Sequence, residues 1–267
     1  SVGYTTQDIR RPRSDDSGTA GVAANTYGGP GFKYNLSPEG DTLYGWRQFT
    51  PRTIYQQVTN QAIERFITSA AANWVPREWL SFRANAGVDY THRLDTQLCR
   101  FGECPPIFDY NQGRSLDFRT NFFLYTLDAA GTATRRISDR VESRTSAGVQ
   151  YYRKIFNRNG MTGTFLPPGA VTVTAAAVKD ADETTTESRT FGAYVEQQLS
   201  FDDRLFLTGA VRTDRNSAFG ADFSTAFYPK FSASWVVSQE SFFPQPEWMD
   251  QVRLRLAYGA SGVQPGT

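Results

Sequence analysis

Few side chains in this sequence are spaced for covalent chemistry. His92 is the only histidine, and it sits in the stretch LSFRANAGVDYTHRL with no serine or cysteine nucleophile at a useful spacing. The two cysteines, Cys99 and Cys104, stand together in CRFGEC. As a metal site the pair lacks two ligands, since zinc takes four. Two close cysteines in a polar loop read instead as a disulfide of an exported protein, in preference to free thiols. The acidic run KDADE at 179–183 offers carboxylates to a hard cation. It has no ordered ligand spacing, so it reads as a solvated loop, and so does RRPRSDDSG at 10–18. GASG and GGPG open no helix and precede no lysine, so neither is a phosphate loop. No catalytic, metal or cofactor site is expected, and the chain reads as a non-enzyme.

The remaining candidates are charged residues set at a period of two. In RLFLTGAVRTD, Leu205, Leu207, Gly209 and Val211 alternate with Phe206, Thr208, Ala210 and Arg212. In LSFRANAGVDYT, Leu80, Phe82, Ala84, Ala86, Val88 and Tyr90 share one parity. Ser81, Arg83, Asn85, Gly87, Asp89 and Thr91 share the other. Successive side chains of a strand point to opposite faces, so each segment has one greasy and one polar face. Arg83, Asp89, Glu196, Arg212 and Asp214 then form a set of charges on the polar side. They are expected to line a watery interior, chiefly as a solvated ladder of ion pairs and secondarily as a solute path.

The elements that position these residues are about nine such alternating segments. They cover roughly 1–9, 62–75, 80–94, 117–137, 143–156, 185–201, 204–216, 224–238 and 252–261. The stretch DAAG at 128–131 resembles a turn. Phe123, Tyr125, Leu127, Ala129 and Ala133 nevertheless keep one parity through it, which favours a single long strand. The connections run long (10–61), short (76–79), long (95–115), short (138–142), long (157–183), short (202–203), medium (216–223) and compact (239–251), the last with a short helix. In an up-and-down meander, alternate connections lie on one rim. The large polar loops therefore share one rim and the tight turns the other.

That asymmetry, with strands of 14–20 residues against the usual 5–6, indicates a membrane β-barrel with long external loops and short periplasmic turns. No stretch reaches the roughly 18 apolar residues of a membrane helix. A barrel needs none, because only alternate residues meet lipid. The lipid-facing set is Leu80, Phe82, Val88, Leu205, Leu207, Val211 and Phe231. Trp74, Trp79 and Trp235 lie near tight connections, where amphipathic rings suit a membrane interface. A soluble sugar-binding sandwich would also alternate, but needs neither such long strands nor such one-sided loops. A net charge of +1 provides no field for nucleic acid, and no nucleic-acid partner is expected.

Several segments follow one another in an order that resembles the TonB-dependent outer-membrane transporters of the SusC/RagA type. These are GAYVEQQLSFDDRLFLTGAVRTDRNSAFG, FYPKFSASWVVSQESFF, VRLRLAYGASGVQPG and, earlier, NWVPREWLSFRANAGVDYT. The resemblance implies a 22-stranded barrel in the outer membrane of a Gram-negative-type bacterium. It further implies an N-terminal plug pulled by the TonB complex, a SusD-like lipoprotein lid, and a bulky substrate such as an oligosaccharide or peptide. On this reading residues 1–267 are a middle section of the barrel domain, without signal peptide, plug or closure. The competing function is a passive porin-like or adhesin-like barrel without energy coupling.

Overall fold

A computed structural model describes residues 1–11, 21–29, 34–36, 40, 42–106, 109–217, 225–244 and 248–261. Most of the basic–acidic run RRPRSDDSG lies outside the described residues. The chain begins with strand β1 (Val2–Arg11). A long connection follows, holding helix α1 (Val22–Tyr27), a two-stranded ribbon of β2 (Tyr34–Leu36) and β3 (Thr42–Tyr44), and one turn of helix, α2 (Pro51–Ile54). Then come β4 (Val58–Arg77), β5 (Leu80–Cys99), β6 (Arg114–Ser138), β7 (Val141–Thr164), β8 (Val178–Phe201), β9 (Leu205–Asn216), β10 (Ala226–Val236) and β11 (Arg253–Gly259).

The main sheet has nine strands in the order β1-β4-β5-β6-β7-β8-β9-β10-β11, each antiparallel to its neighbour. Sequence neighbours in the sheet are thus spatial neighbours, as in a meander. β6 runs unbroken for 25 residues through Asp128–Gly131, because these residues keep their cross-strand partners on both sides.

Register carries each side-chain parity across the sheet. Trp74, Phe82, Gly131, Ala147, Val195, Val211 and Pro229 stand on one continuous rung. The adjacent rung, facing the other way, is Asn73, Arg83, Ala130, Gly148, Tyr194, Arg212 and Tyr228. One face is therefore apolar and the other polar over many strands at once.

Neither face is covered. The accessible surface is 17373 Å², against roughly 11,700 Å² for a globular chain of this mass. Among the described residues the buried apolar side chains lie in the connections or at strand ends beside them. Asn25 on α1 pins the first connection: its Oδ1 accepts from the backbone N–H of Gln48 and Phe49, and its Nδ2 donates to the Gly21 carbonyl. On the same rim, buried Leu166 packs on Gly113, whose φ of +87° needs glycine and whose missing Cβ leaves room for the leucine. The backbone N–H of Leu166 also donates to the Gly113 carbonyl.

Several strands are longer than the alternation of apolar residues suggests. β5 continues to Cys99 and β7 to Thr164, while β8 begins at Val178. The connections are accordingly 100–113 and 165–177, shorter than 95–115 and 157–183. Polar residues continue the ladder because backbone pairing does not require an apolar side chain. The run KDADE lies inside β8, so Asp180 and Asp182 share one face and Glu183 takes the other, and the three carboxylates do not converge. Among the described residues the last connector has one 3-10 turn, at Val237–Gln239, where a short helix is expected over 239–251. The rim asymmetry survives these changes. The turns β4/β5, β6/β7 and β8/β9 are tight, and β5/β6 and β7/β8 connect at the opposite rim.

The β8/β9 turn is made by Asp202 and Asp203, with φ of 49° and 56°. Two consecutive left-handed residues match the twist of the flanking strands, and aspartate tolerates that conformation better than most residues. Replacing Asp203 by valine is expected to lower the stability of the assembled barrel by about 1–2 kcal/mol. The urea midpoint of its heat-modifiable gel band measures this.

Candidate functional site

The polar face carries the charged side chains singled out in the sequence, and its geometry follows from the register. Arg212 lies between Tyr194 on β8 and Tyr228 on β10. Its Nε donates to Asp214 Oδ2 at 2.9 Å, and its Nη1 reaches two strands away to Gln150 Oε1 at 2.6 Å. Room for this pair comes from Gly192. A Cβ there would overlap Asp214 Oδ1 and crowd Arg212 Nη2. Glu196 accepts from Lys230 Nζ at 3.2 Å. Asp89 accepts from Arg65 Nε at 2.9 Å and from a second guanidinium nitrogen. Arg83 lines a small polar hollow with Asn85, Asp128, Gln150 and Tyr194.

All five charged residues expected on one face, Arg83, Asp89, Glu196, Arg212 and Asp214, share it. They are not brought into one cluster. They are spread from β5 to β9: Asp89, Glu196, Arg212 and Asp214 take partners on their own or a nearby strand, and Arg83 lines the polar hollow. Arg65 and Lys230 complete two of these pairs. Parity within FYPKFSASW and AIERFITS is the signal that identifies them. Gly192 is legible only in three dimensions, since its role is the space it leaves.

On the opposite face, Leu80, Phe82, Val88, Leu205, Leu207, Val211 and Phe231 share one parity. Between them lie small residues: Ala72, Ala84, Ala129, Gly131, Ala147 and Ala193. Aromatic residues bound this band on both sides. Toward the tight turns, Trp74 stacks on Phe82 at 5.4 Å, Trp235 lies near Phe242 at 6.1 Å, and Arg135 sits over the Trp79 ring at 4.0 Å. Toward the other rim, Tyr90 stacks on Phe123 at 4.5 Å. Phe82 and Tyr90 are eight residues apart on β5. That is about 26 Å along the strand at ~3.3 Å per residue, and about 20 Å along the normal of a barrel tilted by ~40°. An outer-membrane apolar band is ~25 Å tall, so the spacing fits.

Beyond this outer aromatic row the same parity turns polar. His92 Nδ1 and the Tyr90 hydroxyl both donate to Asn121 Oδ1, at 2.8 and 3.1 Å. His92 is therefore held by hydrogen bonds among polar side chains and faces no nucleophile. Among the described residues no three metal-ligating side chains converge. Cys99, the last residue of β5, and Cys104, in the 100–113 loop, are joined in a disulfide and buried.

An antiparallel meander with one apolar, aromatic-bounded face and one charged face is the wall of a membrane β-barrel. Residues 3–266 match the family described as "TonB dependent receptor-like, beta-barrel", and the chain belongs to that family. Its members are transport receptors rather than enzymes. A 65-residue stretch is 38% identical to TonB-dependent receptor P26 of Formosa agariphila, covering 24% of this chain and 7% of that protein. The structure of the RagAB peptide transporter has a similar fold, with a TM-score of 0.72 at 16% identity over 83% of this chain and 26% of that one. The RagAB peptide importer in its "closed-closed" state gives 0.69 over the same shares. The chain thus spans about a quarter of the length of these structures.

The Arg212–Asp214 pair is half exposed at its arginine, with relative side-chain exposures of 37% and 15%. Exposed ion pairs contribute at most about 1 kcal/mol, so Asp214→Asn is expected to change stability by less than that. Gly192→Leu is expected to cost more, about 1–3 kcal/mol, because the new side chain overlaps the pair. Urea unfolding of the two variants side by side tests this order.

Proposed function

We propose that this chain is a wall section of a TonB-dependent importer in the outer membrane of a Gram-negative-type bacterium. The apolar face meets lipid and the charged face lines the lumen. The observation that carries this reading is the coherence of the two faces. One register keeps an apolar, aromatic-bounded band on one side of strands β4 to β10 and charged pairs on the other. Lipid requires such a band because unsatisfied backbone groups cost several kcal/mol there, and only a hydrogen-bonded barrel meets that demand.

In the whole receptor, a plug linked to the TonB complex gates the lumen. A SusD-like lipoprotein covers the rim formed by the 100–113 and 165–177 connections. The solute is a bulky nutrient, an oligosaccharide or a peptide. Family membership favours this energised route over a passive porin-like or adhesin-like barrel. The RagAB fold likeness is consistent with a peptide substrate and a lipoprotein partner, since RagAB is described as a peptide transporter. Residues 1–267 act as part of one barrel domain, with the remaining wall and the plug supplied by the rest of the receptor.

The face assignment is tested by substitution. Leu207→Arg and Val211→Arg are each expected to lower barrel stability by about 2–4 kcal/mol, as arginine does near a bilayer midplane. Ser232→Arg, on the opposite face and partly exposed, is expected to leave it nearly unchanged. Equal effects on both faces would overturn the assignment. Function is tested with labelled peptides and oligosaccharides in cells carrying the full receptor. Uptake is expected to stop when TonB is deleted and to fall when 100–113 or 165–177 is shortened. TonB-independent uptake would favour the passive barrel.

A further inference from the structure

Toward the loop-bearing rim, the polar face of β6 and β7 carries cations of a different kind from the paired charges described above. Arg114, Phe118 and Phe122 share that face of β6 at four-residue intervals, about 13 Å apart at ~3.3 Å per residue. Lys154 and Arg158 share it on β7 with the same spacing. Each cation lies over a ring. Lys154 Nζ is 5.7 Å from the centre of Phe122, and Arg158 Cζ is 4.4 Å from that of Phe118. Arg114 Cζ is 4.7 Å from the centre of Tyr110, in the 100–113 loop. Among the described residues none of these three cations forms an ion pair, whereas Arg65, Arg212 and Lys230 each hold a carboxylate.

That difference matters to a solute. A carboxylate on the wall neutralises its cation and must be displaced before a solute anion can take its place. A ring steadies the cation through its negative face and leaves the charge in force. The cation farthest from the rim, Lys154, borders a hollow of about 320 Å³ lined by Phe122, Lys154, Phe156, Thr186 and Ser188. Phe122 and Phe156 are register partners, and Lys154 is exposed. Asp89 lies on the Lys154 rung two strands away and is held by Arg65. Asp182 pairs in register with Gly160, six residues along β7 from Lys154 and about 20 Å nearer the rim. The hollow thus presents two apolar rings, one ammonium group and two hydroxyls. A sugar ring would bring several hydroxyls that need acceptors, which phenylalanine does not supply, and unpaired polar groups are costly to bury. A peptide carries an apolar side chain and a carboxylate at adjoining positions, and the hollow has a surface for each.

We propose that this hollow selects peptides that present a carboxylate beside an apolar side chain. The apolar group seats on Phe122 and Phe156, the carboxylate meets Lys154, and Arg158 is a second anion contact nearer the rim. The site deepens the import reading and rests on the polar face lining the lumen. An extended peptide spans about 13 Å in four residues, so one chain reaches both cations.

The full-length receptor, purified in detergent, is titrated by calorimetry with glycine–serine octapeptides capped at both ends. Each peptide carries one Phe-Glu, Phe-Gln or Ala-Glu pair. Phe-Glu is expected to bind about fivefold more tightly than Phe-Gln, the upper range for an exposed ion pair. Lys154→Gln is expected to erase that preference and to leave Phe-Gln binding unchanged. Phe156→Ala is expected to narrow the advantage of Phe-Glu over Ala-Glu. Arg153→Gln, on the opposite face, where Glu187 accepts from both Arg153 and Arg189, is expected to change neither. Equal binding of Phe-Glu and Phe-Gln, a preference that survives Lys154→Gln, or tighter binding of a glucuronate trisaccharide through Lys154 would each overturn the proposal. A spin label at Ala130→Cys, on the same face at the height of the apolar band, is read in parallel in nanodiscs and separates the two levels. A label in water without a Phe-Glu preference defeats only this site, whereas a label in contact with acyl chains defeats the face assignment and the site with it.

Discussion

Everything in this chain depends on the backbone ladder. Each interior strand of the main sheet is hydrogen-bonded on both edges to the strands on either side of it in the order of the sheet. In water a broken rung is repaired by solvent. In hydrocarbon it is not, and an unpaired amide costs several kcal/mol. A wall that crosses a membrane must therefore hold register over its full height. β6 and β7 do so from Arg114↔Thr164 to Arg136↔Glu142, with an irregularity only at the turn. Once register is fixed, every side chain has its face assigned, because a slip of one residue would exchange the two faces along the whole strand.

The two faces then divide the chemistry. The apolar side has no protein core to bury itself in, which is why the accessible area is so large for the mass. Its middle is built of alanine, glycine and valine, and its edges of aromatic rings. The polar side carries charges as short-range pairs at half-exposed positions. Such pairs contribute little stability. Their physical role is to let charged groups occupy a wall with a partner at hand, as Gln150, Arg212 and Asp214 do around the space at Gly192.

The height at which the apolar parity turns polar divides the strands into two regions. Below it, alternate residues differ sharply in character. Above it, both parities are polar, as with His92 and Asn121 on one face and Arg93 and Asp95 on the other. The strands therefore rise past the band as a two-sided polar wall before reaching the loops. This explains the one systematic difference between the alternation of the sequence and the observed strand ends. Periodicity detects a strand through the contrast between its faces, and above the band that contrast is gone. The segments 95–99, 157–164 and 178–184 look like loop for that reason, although each is paired residue by residue with a neighbouring strand.

Much was legible without coordinates. Nine strands, their order, the loop asymmetry and the faces of Leu205, Arg212, Val88 and Asp89 all follow from a period of two, because the pleat admits no other placement. Local turn chemistry, such as the two aspartates at 202–203, needs only short-range sterics. Partners across the sheet were not legible. That Arg212 reaches Gln150, that Glu196 meets Lys230, and that Arg153 and Arg189 share Glu187 depend on how far one strand is shifted against the next. That shift is set by the closing of whole hairpins, a long-range quantity that no local pattern of residues records.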